Sequence, residues 1–105
     1  SDITEEQDVV AREDGSWLMD GSVPVERLKS VLEVEENLPG EEDFNTLGGF
    51  VMHMLGRIPA VTDHFEWGGL RFEVMDMDRK RVDKVLIARV AQPQQQGAAE
   101  RAPDS

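Results

Sequence analysis

The spacing of apolar residues marks six ordered elements between two polar ends. Ser16-Trp17-Leu18-Met19 reads as a short strand, bracketed by turn signals at Asp14-Gly15 and Asp20-Gly21. Pro24 suits the first position of a helix, where its missing N–H is no loss. Val25, Leu28, Val31 and Leu32 then form one stripe, which predicts a helix over 24–32. An acidic connection over 33–44 follows, anchored by Val34, Leu38 and Phe44 and turned at Pro39-Gly40.

The longest helical pattern comes next. Leu47, Phe50, Val51, Met54, Leu55 and Ile58 recur at i, i+3, i+4 and i+7, the face of a buried helix. Asn45 or Thr46 can cap its start, and Pro59 is expected to end it. Gly48-Gly49 lies in its first turn, where each glycine costs about 1 kcal/mol relative to alanine. A pair therefore predicts that another backbone comes close. Gly68-Gly69 separates two alternating runs, His64–Trp67 and Leu70–Val74, as in a hairpin. Leu70, Phe72 and Val74 share a face, but Met75 and Met77 fall on the opposite parity, which predicts either a bulge near Val74-Met75 or a strand partly covered on both faces. Val82–Val90 is the last strand. Val82, Leu86, Ala88 and Val90 fall on one face and Val85 and Ile87 on the other, which places this strand centrally in the sheet. The order β-α-α-β-β-β makes an α+β domain, a mostly antiparallel sheet with two helices on one face.

The ends read differently. Residues 1–13 are acidic and poor in apolar side chains, as in a linker, and 92–105 are low in complexity, as in a disordered tail. The domain proper is expected over 14–91. Its size fits a single modest core in a chain of 105 residues. The formal net charge is −11, which opposes binding to nucleic acid and to anionic membrane surface. With no cysteine, disulfides and thiolate metal sites are excluded. No apolar run approaches the roughly 18 residues of a membrane-spanning helix, so no direct insertion by this stretch is expected.

Candidate chemistry is sparse. The two histidines, His53 in mid-helix and His64 beside Asp63, belong to separate elements and share no spacing with a serine or carboxylate that would make a triad. No enzyme is predicted. Glu33, Glu35, Glu36, Glu41, Glu42 and Asp43 cluster on the acidic connection. Hard cations want several oxygen ligands, so Glu35, Glu36, Glu41, Glu42 and Asp43 are the candidate site for magnesium or calcium, although their spacing does not match a calcium loop. The reading set against this is a solvated acidic face. Met52, Met54, Met75 and Met77 read as core filler. Arg79-Lys80-Arg81 reads as a solvated turn, able to pair with an acidic partner surface.

Several motifs together carry a resemblance. Asp14-Gly15-Ser16-Trp17-Leu18-Met19-Asp20-Gly21, the helix start Pro24-Val25-Glu26-Arg27-Leu28, Asp43-Phe44-Asn45-Thr46-Leu47-Gly48-Gly49, the turn Gly56-Arg57-Ile58-Pro59 and the closing strands around Phe72-Glu73-Val74 and Arg81-Val82-Asp83-Lys84-Val85 occur in one collinear order. The set resembles the CorC/HlyC transporter-associated domain. Val23 stands where that family commonly has a capping Ser or Thr, so the cap is expected to shift to Ser22.

The resemblance implies the C-terminal domain of a larger membrane protein, one described as a hemolysin or as a magnesium and cobalt efflux protein. It implies a fold similar to part of the PCMH-type FAD-binding domain, with FAD attached to the family by that similarity alone. It also implies a non-catalytic accessory role on the cytoplasmic face of the bacterial inner membrane. Its partners would be its own CBS and transmembrane domains or a second copy of itself. The alternative is a sensor of a divalent metal or of an adenine or flavin nucleotide.

Overall fold

The structure is a computed structural model that describes residues 8–90. The expected tail over 92–105 and most of the expected linker lie outside the described residues. The elements are β1 (Val9–Ala11), β2 (Trp17–Asp20), α1 (Val25–Leu32), α2 (Leu47–Leu55), β3 (His64–Trp67), β4 (Leu70–Asp78) and β5 (Arg81–Arg89). A short 3-10 turn, Glu41–Asp43, lies between the helices.

All five strands pair antiparallel, in the order β1-β2-β5-β4-β3. From Trp17 onward the element order is the expected β-α-α-β-β-β, and β5 takes the central position. The core lies between the sheet and the two helices. Met19, Leu28, Leu47, Phe50, Phe72 and Ile87 are almost fully buried in it. Phe50 of α2 meets Phe65, Phe72 and Trp67 edge-on, with ring centroids 5.4, 5.4 and 5.9 Å away. Each such pair contributes about 0.5–1.5 kcal/mol beyond the area it buries. This aromatic group fixes α2 against the β3–β4 hairpin.

The structure departs from the sequence reading at several points. Val9–Ala11, in the stretch read as linker, forms the edge strand β1 and pairs with β2. The signal was Val9-Val10-Ala11, too short to register as a strand by alternation. The long helix ends at Leu55, because Gly56 takes the left-handed conformation (φ 72°) and returns its N–H to the Met52 carbonyl. Pro59 therefore lies beyond the helix, and Ile58 is exposed instead of completing the apolar face. Pro24 sits just before α1 rather than in it. Ser22 does not cap α1; its N–H and hydroxyl both donate to the Asp20 carboxylate.

The bulge near Val74-Met75 is present, and it has a counterpart. Val74 pairs with Val85, Asp76 with Lys84, and Met77 with Val82, so Met75 is stepped over on β4 and Asp83 on β5. The skipped Asp83 reverses the parity of β5. Val82 therefore joins Val85 and Ile87 in the core, not Leu86 and Ala88. Met52, Met54 and Met77 pack partly buried against the core, whereas Met75 on its bulge is exposed.

Candidate functional site

The glycines of α2 stand at a crossing of backbones. The Leu47 amide donates to the Val23 carbonyl at 2.9 Å, and the Gly48 amide donates to the Gly21 carbonyl at 2.8 Å. Thr46 caps the helix, its hydroxyl accepting from the Gly49 amide at 3.2 Å. In return the Val25 amide, at the start of α1, donates to the Asn45 carbonyl at 2.9 Å. Each helix start is thus satisfied by the strand-like segment that leads into the other.

A cavity of about 340 Å³ opens at this crossing, between Asp20-Gly21-Ser22, the first turn of α2 and Arg81-Val82. Its polar groups are largely spent. Asp20 holds the Ser22 amide and hydroxyl through one carboxylate oxygen and Lys84 through the other, at 3.2 Å. Burial works to raise its pKa, but the Ser22 and Lys84 donors outweigh it and hold the carboxyl below its ordinary value.

These residues do not fit a flavin dinucleotide. A phosphate cradle needs free amides at a helix start, and the Leu47, Gly48 and Gly49 amides already have acceptors within the protein. The space that the missing side chains leave is also filled. A Cβ on Gly21 would fall on the Val82 carbonyl oxygen, and one on Gly49 would lie 2.7 Å from Cβ of Phe44. The glycines serve packing, as the sequence suggested.

The acidic connection is spread out rather than gathered. Glu41 accepts from the Leu38 amide at 2.8 Å and from Lys29 at 3.1 Å. The Leu38 amide first, then Lys29, holds its carboxyl below the ordinary value. Glu33 ends α1 in the left-handed region (φ 59°). Glu35, Glu36, Glu42 and Asp43 are exposed. Among the described residues no three of His, Asp and Glu come together as a metal site. His53 is exposed on α2, its ring resting on Gly40 and 5.6 Å from that of Phe44. His64 lies on β3, with Nδ1 3.2 Å from the Thr62 carbonyl oxygen.

Sequence reasoning missed a clamp in the loop after α2. One oxygen of Asp63 accepts from Arg57 at 2.6 Å and from the Ala60 amide at 2.8 Å. Arg57, then the Ala60 amide, lowers the Asp63 pKa, and Asp63 in turn raises that of Arg57. The signal was a basic residue and an aspartate flanking a proline turn, a spacing with no motif to announce it.

Comparison with known proteins places this architecture. Residues 10–91 match the family model of the transporter associated domain CorC_HlyC. The chain is 41% identical over 85 residues to a polyamine export protein of Escherichia coli K12, covering 81% of this chain and 19% of that one. It is 32% identical over 88 residues to the inner membrane protein YoaE of the same organism, covering 84% of this chain and 17% of that one. Among solved structures it resembles the CorC_HlyC domain of a Xylella fastidiosa hemolysin in complex with Mg++ and Mn++. That match has a TM-score of 0.69 and 43% identity, and covers 80% of this chain and 99% of that one. The chain thus spans about a fifth of the length of the curated relatives it matches.

Proposed function

The chain belongs to the CorC_HlyC transporter-associated domain family, and from that premise we propose that it is a non-catalytic accessory domain of a larger membrane protein that exports cations. It works by packing against the rest of its own polypeptide, the CBS and transmembrane domains that the family resemblance implies, on the cytoplasmic face of the inner membrane. The observation that carries this reading is the match over 10–91 to this domain family, together with a likeness over 85 residues that covers only 19% of a polyamine export protein. The site geometry agrees with it: the glycines and Thr46 are occupied at the crossing of the two helix starts, and Asp20 is occupied by Ser22 and Lys84.

The test is a full polypeptide lacking residues 10–91, assayed in cells for efflux of putrescine, spermidine, magnesium and cobalt. Loss of export, or loss of its response to cation load, is expected. Unchanged export with unchanged regulation would refute an accessory role. A second reading, divalent-metal sensing, draws on the Mg++ and Mn++ complex of the Xylella fastidiosa domain. Calorimetry of this chain with magnesium, manganese and adenine nucleotides decides it, since no heat at millimolar ligand would dispose of sensing by the domain alone.

A further inference from the structure

One end of the sheet carries features that the core does not use. The register puts Asp20 of β2, Arg81 of β5, Asp78 of β4 and His64 of β3 at this end. β1 begins here too, since Val9 lies opposite Met19. The polypeptide therefore reaches the sheet at this end, and β5 leaves it at the other.

Two loops project from the end. The first is the turn between β4 and β5. Arg79, Lys80 and Arg81 are exposed, and none makes an ion pair among the described residues. Arg79 is held at φ 60°. Most other basic side chains here, such as Lys29, Arg57, Arg71 and Lys84, have a carboxylate. Three adjacent cations without one are conspicuous in a chain of net charge −11.

The second loop runs from Gly56 to Asp63 and presents Ile58 and Val61, 49% and 47% exposed. The Thr62 amide donates to the Val74 carbonyl and the Val74 amide to the Asp63 carbonyl, both at 2.8 Å. That pairing fastens the loop to β4 at Val74, the residue before Met75, which is 42% exposed on its bulge. Three of the four exposed large apolar side chains among the described residues thus belong to this loop or to the β4 residue next to its anchor. Asp63 ties Arg57 and the Ala60 amide across this loop. Thr62, a β-branched residue, is held at φ 83°, a strained conformation that persists only where the surroundings over-determine it.

We infer that this end docks onto the upstream body of the same polypeptide, on an apolar surface rimmed with carboxylates. Ile58, Val61 and Met75 supply the apolar contact, and Arg79-Lys80-Arg81 the charge that fixes its orientation. The entry of the chain at this end and the unpaired cations select that occupant. An anionic bilayer would attract the same turn but repel the remainder of a strongly acidic chain. The inference rests on the accessory-domain reading and adds the surface through which it acts.

The experiment compares hydrogen exchange and trypsin cleavage in the full polypeptide with the same measurements on this chain alone. Amides of 57–62 and 75–82, and cleavage after Arg79, Lys80 and Arg81, should be about tenfold slower in the full polypeptide. The triple variant R79E/K80E/R81E, which has lost these cleavage sites and is followed by exchange alone, and the pair I58D/V61D, followed by both measurements, should each restore the fast rates there, while this chain bearing them melts like the parent. Equal rates in the two forms overturn the inference. So does protection of this chain alone by phosphatidylglycerol vesicles to the same degree, which would assign the surface to lipid. If removing 10–91 alters export but exchange does not differ, the docking surface is wrong and the accessory role stands. If protection is found but removal leaves export and its regulation unchanged, the docking surface stands and the accessory role fails.

Discussion

Gly21 has backbone on every side: its amide donates to the Asp83 carbonyl, its carbonyl accepts from Gly48, and its missing Cβ would fall on the Val82 oxygen. None of these neighbours is a side chain that could turn away. Gly21→Ala should therefore cost about 1–3 kcal/mol or more, the range for overpacking. Gly49→Ala is a closer contest. Alanine gains about 1 kcal/mol of helix propensity, but its methyl meets the Cβ of Phe44 at 2.7 Å, an atom fixed to the backbone. We expect a net loss for alanine and a much larger one for leucine, read as the urea midpoint of unfolding. A close approach was legible from the Gly48-Gly49 pair, but Gly21 was not, because a lone Asp-Gly reads equally well as a turn. Charged residues follow the same local logic. The carboxyls of Asp14, Asp20, Glu41 and Asp63 all lie below their ordinary values in the fold. A carboxyl lowered by folding binds its proton more weakly than in the unfolded chain. Its contribution is complete above the unfolded value and is lost as pH falls through the folded one. Stability should thus fall below about pH 4. Asp63→Asn should flatten that acid limb, and an unaltered limb would mean that the Arg57 clamp is open in solution.

Apolar spacing made the helices and the hairpin legible, because burial on one face is a periodic signal. The ends were less legible, because non-local contacts or single dihedrals set them. Pro59 is the stronger helix breaker on paper, yet Gly56 stops α2 first by taking φ 72°. α1 stops at Glu33, which adopts φ 59° while the Val34 amide reaches back to the Lys29 carbonyl at 2.9 Å. A glycine suits this left-handed position, and glutamate pays a steric cost there. Glu33→Gly should accordingly raise stability by about 0.5–1 kcal/mol, measured by thermal or urea unfolding. Destabilisation would show that the glutamate side chain makes a contact that outweighs the strain. β5 teaches the same lesson. A period of two assigns Val82 to the wrong face, because one skipped residue, Asp83, inverts every side chain beyond it. The bulge on β4 was visible as a parity break in Leu70–Met77; its partner on β5 was hidden, because both faces of that strand carry apolar residues.

At the scale of the molecule, the candidate site was legible only in part. The acidic connection stood out as composition, but its members are spread over the surface, and Glu41 is committed to Lys29 and Leu38. The docking end was invisible because the loop carrying Ile58 and Val61 is joined to β4 beside Met75 only through the pairing of Thr62 and Asp63 with Val74. Composition alone reads the segment of edge strand β1 as linker, and its role can be tested by removal. β1 contributes three ladder positions against β2, the partly buried Val9 on the core, and a surface pair between Asp8 and Arg27 at 3.9 Å. Surface pairs of this kind are worth little, so most of the effect comes from Val9 and the ladder, about 1–2 kcal/mol together. In a domain this size each kcal/mol moves the thermal midpoint by roughly 4–8 °C. A chain beginning at Arg12 should therefore melt roughly 5–15 °C lower than the parent. It should also self-associate, because removing β1 uncovers the edge of β2 and with it Leu18 and Trp17. Light scattering and a thermal melt check both effects. A truncated chain that stayed monomeric and melted with the parent would show that the sheet ends at β2 and that the polypeptide does not enter the domain through β1.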